Sequence, residues 1–160
     1  MEEATMDENQ ARRYALELMA FSEAAYLATV DGDGRPHIRA MLNLRNRAQY
    51  PKLAALFSEH ANDLLVYFTT NTSSPKVAQI RANPAVAAYY CEPAKFHGLM
   101  LAGDIEIVDD PRVREALWQD GWERFYPGGP NDPDHTVLEL RPTVARGWHG
   151  EDKVEFDPAT

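Results

Sequence analysis

The spacing of apolar residues along this chain changes period several times, and each change marks an element. Between Asp7 and Phe21, the apolar residues Tyr14, Leu18 and Phe21 recur at helical intervals, which predicts an amphipathic helix. From Ala24 the pattern shortens. A run over Ala24–Val30 meets Asp31-Gly32-Asp33-Gly34, a hairpin turn signal, and the chain returns over Pro36–Leu44. On that return Arg39, Met41 and Asn43 share one face, and Ile38, Ala40, Leu42 and Leu44 share the other. Arg45 to Asn62 has no steady period, although PKLAALFSEH reads as a short helical piece. Leu64–Thr70 is a third strand, and Pro75–Ala82 is a helix stopped by Asn83-Pro84. Val86–Cys91 and Leu99–Val108 are further strands. Asp109-Asp110-Pro111 then opens a helix running to about Phe125, with Leu117, Trp118, Trp122 and Phe125 as an apolar stripe that suits a core or a subunit contact. A Gly/Pro loop spans Pro127 to Pro133. His135–Leu140 and Val144–His149 read as the last strands, which leaves residues 151–160 as a tail. Many strands with few helices predict a mainly β fold, an antiparallel barrel with peripheral helices, although periodicity alone leaves a sandwich open.

A chain of 160 residues suits one domain over 1–160, with an N-terminal helix inside 1–23. The formal charge of −9, from 16 basic and 25 acidic residues, disfavours nucleic acid and anionic membranes as partners, because both require a positive footprint. No apolar run is long enough to span a bilayer, and Met1 to Gln10 is too acidic for a signal or transit peptide, so a cytoplasmic location is expected. The single cysteine, Cys91, excludes an internal disulfide and a cysteine-based metal cluster; at the end of an apolar strand it reads as a small buried hydrophobe. The five histidines show no metal-ligand spacing, and no metal is expected.

The candidate chemistry lies at Ser74-Pro75-Lys76. A serine at the cap, a proline at the first helical position and a lysine beyond it mark a helix start. The same arrangement suits an anion, because free N–H groups and the helix dipole face it and Lys76 adds a full charge. An ordinary capped helix reads the same way. Arg39 and Asn43 on one strand face admit the same two accounts: a solvated face, or an arginine converging with Lys76 on one anion.

The order LATVDGDGRPHIR, a strand ending Thr69-Thr70, Thr70-x-x-x-Ser74-x-Lys76 and QIRANPAVA resembles the split-barrel flavin-binding proteins related to pyridoxamine 5′-phosphate oxidase. The likeness covers roughly Ala24 to Gly150, and its most specific parts are Gly34-x-Pro36-x-x-Arg39 and the Thr70/Ser74/Lys76 motif followed by Asn83-Pro84. The later stretch LWQDGWERFYPGGPNDPDHTVLELRPTVARGW is similar to the general-stress-protein branch. The resemblance implies an FMN-binding split barrel and a homodimer with flavin at the subunit interface. It assigns the FMN phosphate to Arg39, Thr70, Ser74 and Lys76. The ring falls to Ala40, Met41 and Asn43, the ribityl chain lies near Thr69-Thr70, and Trp148 is placed near the flavin. A nicotinamide or another small electron donor is implied as the reductant.

Two departures from the family pattern bear on activity. Where the oxidase carries a flavin-contacting glutamine, this chain has Gly98, and its Arg-x-His substrate segment is replaced by Val154-Glu155-Phe156. Vitamin-phosphate oxidation is therefore not expected. No general base or nucleophile presents itself, so no catalytic residue is assigned; flavin chemistry does not require one. The readings that stay open are an FMN-dependent oxidoreductase of unknown substrate, a non-catalytic flavin-binding stress or sensing protein, and a barrel binding haem or a deazaflavin. Haem would need His97 or His149 as its axial ligand.

Overall fold

The computed structural model describes residues 4–159. Helix α1 (Glu8–Phe21) starts at Asp7, whose carboxylate accepts from the N–H groups of Asn9 and Gln10. Strands β1 (Ala24–Val30) and β2 (Pro36–Leu42) form the expected hairpin, with Leu27 opposite Arg39. A 3₁₀ turn (Pro51–Leu53) leads into the short α2 (Ala54–Ser58), then β3 (Val66–Asn71), α3 (Pro75–Ala82), β4 (Ala85–Glu92) and β5 (His97–Val108). Helix α4 (Pro111–Leu117) and 3₁₀ turns precede β6 (His135–Leu140), β7 (Val144–His149) and β8 (Asp152–Phe156).

The strands form an eight-stranded antiparallel sheet along the path β2-β1-β4-β5-β6-β3, with β7 beside β5 and β8 beside β7. Its curl comes from β5. Residues 97–102 of β5 pair with β7, whereas residues 105–108 pair with β6, so one long strand serves two walls. The end strands β2 and β3 approach each other without forming a ladder, and that gap is the split in the barrel.

Helix α1 lays Ala11, Tyr14, Ala15, Leu18 and Met19 against the inner face of the sheet, where Leu27, Ala88, Tyr90, Leu99 and Leu101 are fully buried. Strand β3 is buried on both faces. Val66 and Phe68 enter this core, while Tyr67 joins a second cluster with Phe57, Leu117, Trp122 and Tyr126.

Three expectations need correction. The second strand ends at Leu42, not Leu44, because Asn43 turns its amide to the Met19 and Ser22 carbonyls and accepts from the Arg45 N–H. Helix α4 stops at Leu117. Trp118 is extended (ψ 137°), Gly121 adopts φ 93°, and the Gln119 side chain donates to the last carbonyls, those of Leu117 and Trp118. Leu117 and Trp122 are consequently internal, while Phe125 lies 56% exposed beneath Arg124. Third, the segment read as a tail contains β8, whose alternating Val154 and Phe156 close the main core.

Candidate functional site

The split between β2 and β3 is a cleft of about 500 Å³. Ala40, Met41 and Leu42 form one wall and Thr69, Thr70 and Asn71 the other. Because β2 is an edge strand paired only with β1, its second edge faces the cleft with backbone groups free of a ladder. Lys76, one residue into α3, projects between the walls.

The Lys76 ammonium donates to Thr70 Oγ1 (2.9 Å) and Ser74 Oγ (2.7 Å). Ser74 occupies the cap position of α3, yet its hydroxyl caps no backbone N–H because it is engaged with Lys76. Arg39, on β2, is not among the residues lining the cleft and turns toward β1 and α3. Its guanidinium donates to the Leu27 carbonyl (3.2 Å) and to Thr29 Oγ1 (2.7 Å), and Thr29 donates its own proton to Gln79 on α3 (2.6 Å). Burial lowers the pKa of Arg39. Burial, and then the charge of Arg39, lowers that of Lys76. Among the described residues neither cation pairs with a carboxylate. Two half-buried like charges that feel each other without a counter-ion are a folded-state cost that an anion would offset.

Of the residues singled out from sequence, Thr70, Ser74 and Lys76 are in direct contact, and Ala40, Met41 and Thr69 line the cleft with Thr70 and Lys76, whereas Arg39 stands beside the cleft, against Gln79 one turn along α3 from Lys76. Asn43 is not with them. It is buried (2% exposed) with its amide committed to the last turn and cap of α1. Trp148 is also elsewhere in the subunit. It borders a separate depression of about 450 Å³ with Tyr89, Phe96 and Gly98. A Cβ at Gly98 would run into the Tyr89 phenol ring (2.9 Å from Cζ), so the space of a longer side chain is already taken by Tyr89. Sequence reasoning missed Tyr126, Gln49 and Glu23, which also line the split cleft. Tyr126 lies in the Tyr-Pro-Gly-Gly segment that carries part of the family likeness, but Gln49 stands in a stretch with no periodic signal.

His97 and His149, directly opposite each other on β5 and β7, stack at 4.3 Å, and Tyr14 meets both edge-on. They line a third cleft of about 580 Å³ beneath α1, apart from Arg39 and Lys76. Burial, then His149, pushes the His97 pKa down. Cys91 is a half-buried free thiol whose pKa is raised by burial. Among the described residues no cluster of three or more His, Cys, Asp or Glu is arranged to hold a metal, and no helix is long and apolar enough to cross a membrane.

The outer face of the sheet is apolar and uncovered. Ile38 and Leu42 on β2, Tyr26 on β1, Tyr89 on β4 and Trp148 on β7 are 37–70% exposed. The ladder puts Tyr26 beside both Ala40 and Tyr89, so these residues continue one surface.

Comparison with known proteins shows the family of this fold. The family model for pyridoxamine 5′-phosphate oxidase matches residues 15–149. A pyridoxine/pyridoxamine 5′-phosphate oxidase from Pseudomonas putida is 37% identical over 98 residues, 61% of this chain but only 38% of that protein's length. A solved protein related to general stress protein 26, from Clostridium acetobutylicum, is 30% identical, with 95% of this chain and 96% of that one covered at a TM-score of 0.73. A pyridoxamine 5′-phosphate oxidase-related FMN binding protein from Nostoc punctiforme shares the fold at 20% identity (94% and 89% covered, TM-score 0.62). So do a heme binding protein from Mycobacterium smegmatis (14%, 92% and 58% covered, TM-score 0.66) and an F420 reductase (23%, 81% and 93% covered, TM-score 0.52). The chain belongs to the pyridoxamine 5′-phosphate oxidase family of split barrels, alongside its general stress protein 26-like members.

Proposed function

We propose that this chain is an FMN-binding protein, a cytoplasmic homodimer that works as a flavin-dependent oxidoreductase on a substrate other than pyridoxine phosphate. The observation that carries the reading is that Lys76 lies in the split and Arg39 meets Gln79 one turn along the same helix, two half-buried cations without a carboxylate partner among the described residues. A phosphate monoester carries about −1.5 to −2 charges near neutral pH, which matches two cations. Arg39 would give it a planar fork and Lys76 a point charge, with the Thr70 and Ser74 hydroxyls turning to donate once Lys76 has an anion to face. The free edge of β2 over Ala40–Leu42 would offer its backbone groups to the rim of a flat ring. Hydride or electron transfer is what a bound flavin supplies; the residues bind, orient and shield it.

The uncovered apolar face supports the dimer. A second copy laid on Tyr26, Ile38, Leu42, Tyr89 and Trp148 removes from water a patch that a monomer rarely leaves exposed. Against pyridoxine phosphate as substrate, Val154 and Phe156 are core residues, and the exposed Glu155 accepts from Lys153 (3.0 Å) and lies 3.5 Å from Arg146. Among the described residues, the cations beside Glu155 are both engaged with it and leave no fork for a second phosphate. In the haem-binding alternative His97 and His149 would serve, and they stand in a different cleft.

The test is titration with FMN and with riboflavin, for wild type and for Arg39→Ala/Lys76→Ala. Tighter FMN than riboflavin in wild type, with the preference lost in the variant, supports the reading; equal affinity of wild type for the two flavins removes it. Turnover of reduced nicotinamide by the loaded protein then separates an enzyme from a flavin carrier. Absence of pyridoxine 5′-phosphate oxidation beside an authentic oxidase tests the substrate exclusion.

A further inference from the structure

Lys76 bridges two hydroxyls that stand at opposite ends of a turn. Thr70 lies near the end of β3 and Ser74 opens α3, and the residues between them are Asn71, Thr72 and Ser73. This turn has no glycine and no proline before Pro75, and its own hydrogen bond is Ser74 N–H to the Asn71 carbonyl (3.0 Å). A polar surface turn of this kind is mobile unless something holds it. Here all three intervening residues are held from a distant part of the chain. The Asp134 carboxylate accepts from the Ser73 N–H (2.9 Å) and from the Asn71 amide (2.7 Å), and its carbonyl accepts from the Thr72 N–H (2.8 Å). The Thr72 hydroxyl adds a bond to the neighbouring Pro133 carbonyl (2.9 Å).

Asp134 is itself fixed. Its N–H donates to Asp132 Oδ1 (2.9 Å), and Asp132 Oδ2 accepts from the Gly128 N–H (2.7 Å). His135, fully buried, donates Nδ1–H to the Pro130 carbonyl (2.7 Å) and packs against Trp118 and Tyr126. Tyr126, at the start of the same loop, lines the split cleft. The segment from Tyr126 to Asp134 is thus a braced wall that contacts the cleft at one end and grips the anion turn at the other.

We propose that Asp134 is a positioning residue for the anion site, fixing the Thr70-to-Ser74 spacing so that Lys76 and both hydroxyls are preorganised for a phosphate. The inference rests on the reading of the split as a phosphate site. Electrostatics alone points the opposite way. A carboxylate near an anion site repels the ligand, and removing it should tighten binding. Positioning predicts the reverse, since donors held in place lose less freedom on binding than donors on a loose turn. The sign of the effect therefore separates the two accounts.

The experiment measures FMN and riboflavin affinity for wild type, Asp134→Asn and Asp134→Ala, with thermal unfolding as a control on folding. Asp134→Asn keeps an acceptor for the Ser73 N–H and loses only the bond from Asn71, whereas Asp134→Ala loses both. The expected result is graded: FMN weakens by about threefold in Asp134→Asn and about tenfold in Asp134→Ala, the scale of one hydrogen bond's support, while riboflavin is unchanged. Unchanged or tighter FMN binding in both variants overturns the proposal, and so does a parallel loss of FMN and riboflavin, which would mark Asp134 as a general structural residue. Wild type that fails to distinguish FMN from riboflavin overturns the phosphate reading and the positioning role together. Wild type that distinguishes them beside variants that behave like it removes only the role of Asp134.

Discussion

Replacing Lys76 with methionine keeps the aliphatic stem and removes the charge. On the proposed reading the ammonium would contribute one charge-assisted contact to the FMN phosphate, and such bonds are worth about 1.5–3 kcal/mol. FMN should therefore bind about 10- to 150-fold more weakly to Lys76→Met. Riboflavin, which lacks the phosphate, should bind as before. The ligand-free protein adds a second signature. Burial and Arg39 depress the Lys76 pKa in the folded state. The folded chain then releases that proton at a lower pH than the unfolded chain does. Between the two values the unfolded state holds more protons, so this residue's contribution to stability rises with pH across the window and is complete near the ordinary lysine value of about 10.4. Below the window the charged lysine costs stability that methionine does not. The difference in stability between Lys76→Met and wild type should accordingly shrink as pH rises from neutral into that range. Calorimetric titration with both flavins and unfolding curves at several alkaline pH values are the assays. A change in FMN affinity below about twofold, or an equal loss for riboflavin, would refute the assignment of Lys76 to the phosphate.

Three other outcomes follow from the packing. Gly98→Ala should cost about 1–3 kcal/mol, because its methyl group meets the Tyr89 phenol, and most of that cost should vanish in a Tyr89→Ala background; a neutral Gly98→Ala, or the same cost in both backgrounds in urea melts, contradicts the packing. Phe156→Ala should lose about 3–5 kcal/mol, since β8 closes the main core, and a loss under about 1 kcal/mol would mean that β8 is a dispensable tail. Ile38→Asp/Leu42→Asp should sediment as a monomer while wild type sediments as a dimer; a wild-type monomer that holds FMN tightly would contradict the shared interface.

Much of this fold is legible because its elements carry strong local signals. Helix α1 ends at Phe21, the Asp31–Gly34 turn sets the first hairpin, and Asn83 ends α3, all where the sequence puts them. The departures share a physical origin. Asn43 leaves the strand pattern because a buried amide must satisfy carbonyls at the end of α1, a tertiary demand that alternation does not display. Helix α4 breaks at Trp118 because Gln119 and Gly121 offer a stop that the tryptophan stripe conceals. Strand β8 is only five residues long, and its Val154/Phe156 alternation is easily taken for the remains of a substrate motif. At the site, the Arg39 and Lys76 pairing can be anticipated from the resemblance, since each belongs to a motif. The bracing by Asp134 cannot, because it joins residues 61 to 63 positions apart, partly through a backbone N–H that no side-chain pattern encodes.

Whether the split between β2 and β3 holds FMN by its phosphate can be seen in a crystal structure of the protein saturated with FMN. Phosphate oxygens are expected within hydrogen-bond distance of Arg39, Lys76, Thr70 and Ser74, with the ring along the free edge of Ala40–Leu42. A phosphate seated elsewhere, for instance in the cleft beneath α1 beside His97 and His149, with Arg39 and Lys76 still lacking a counter-ion, would contradict that assignment.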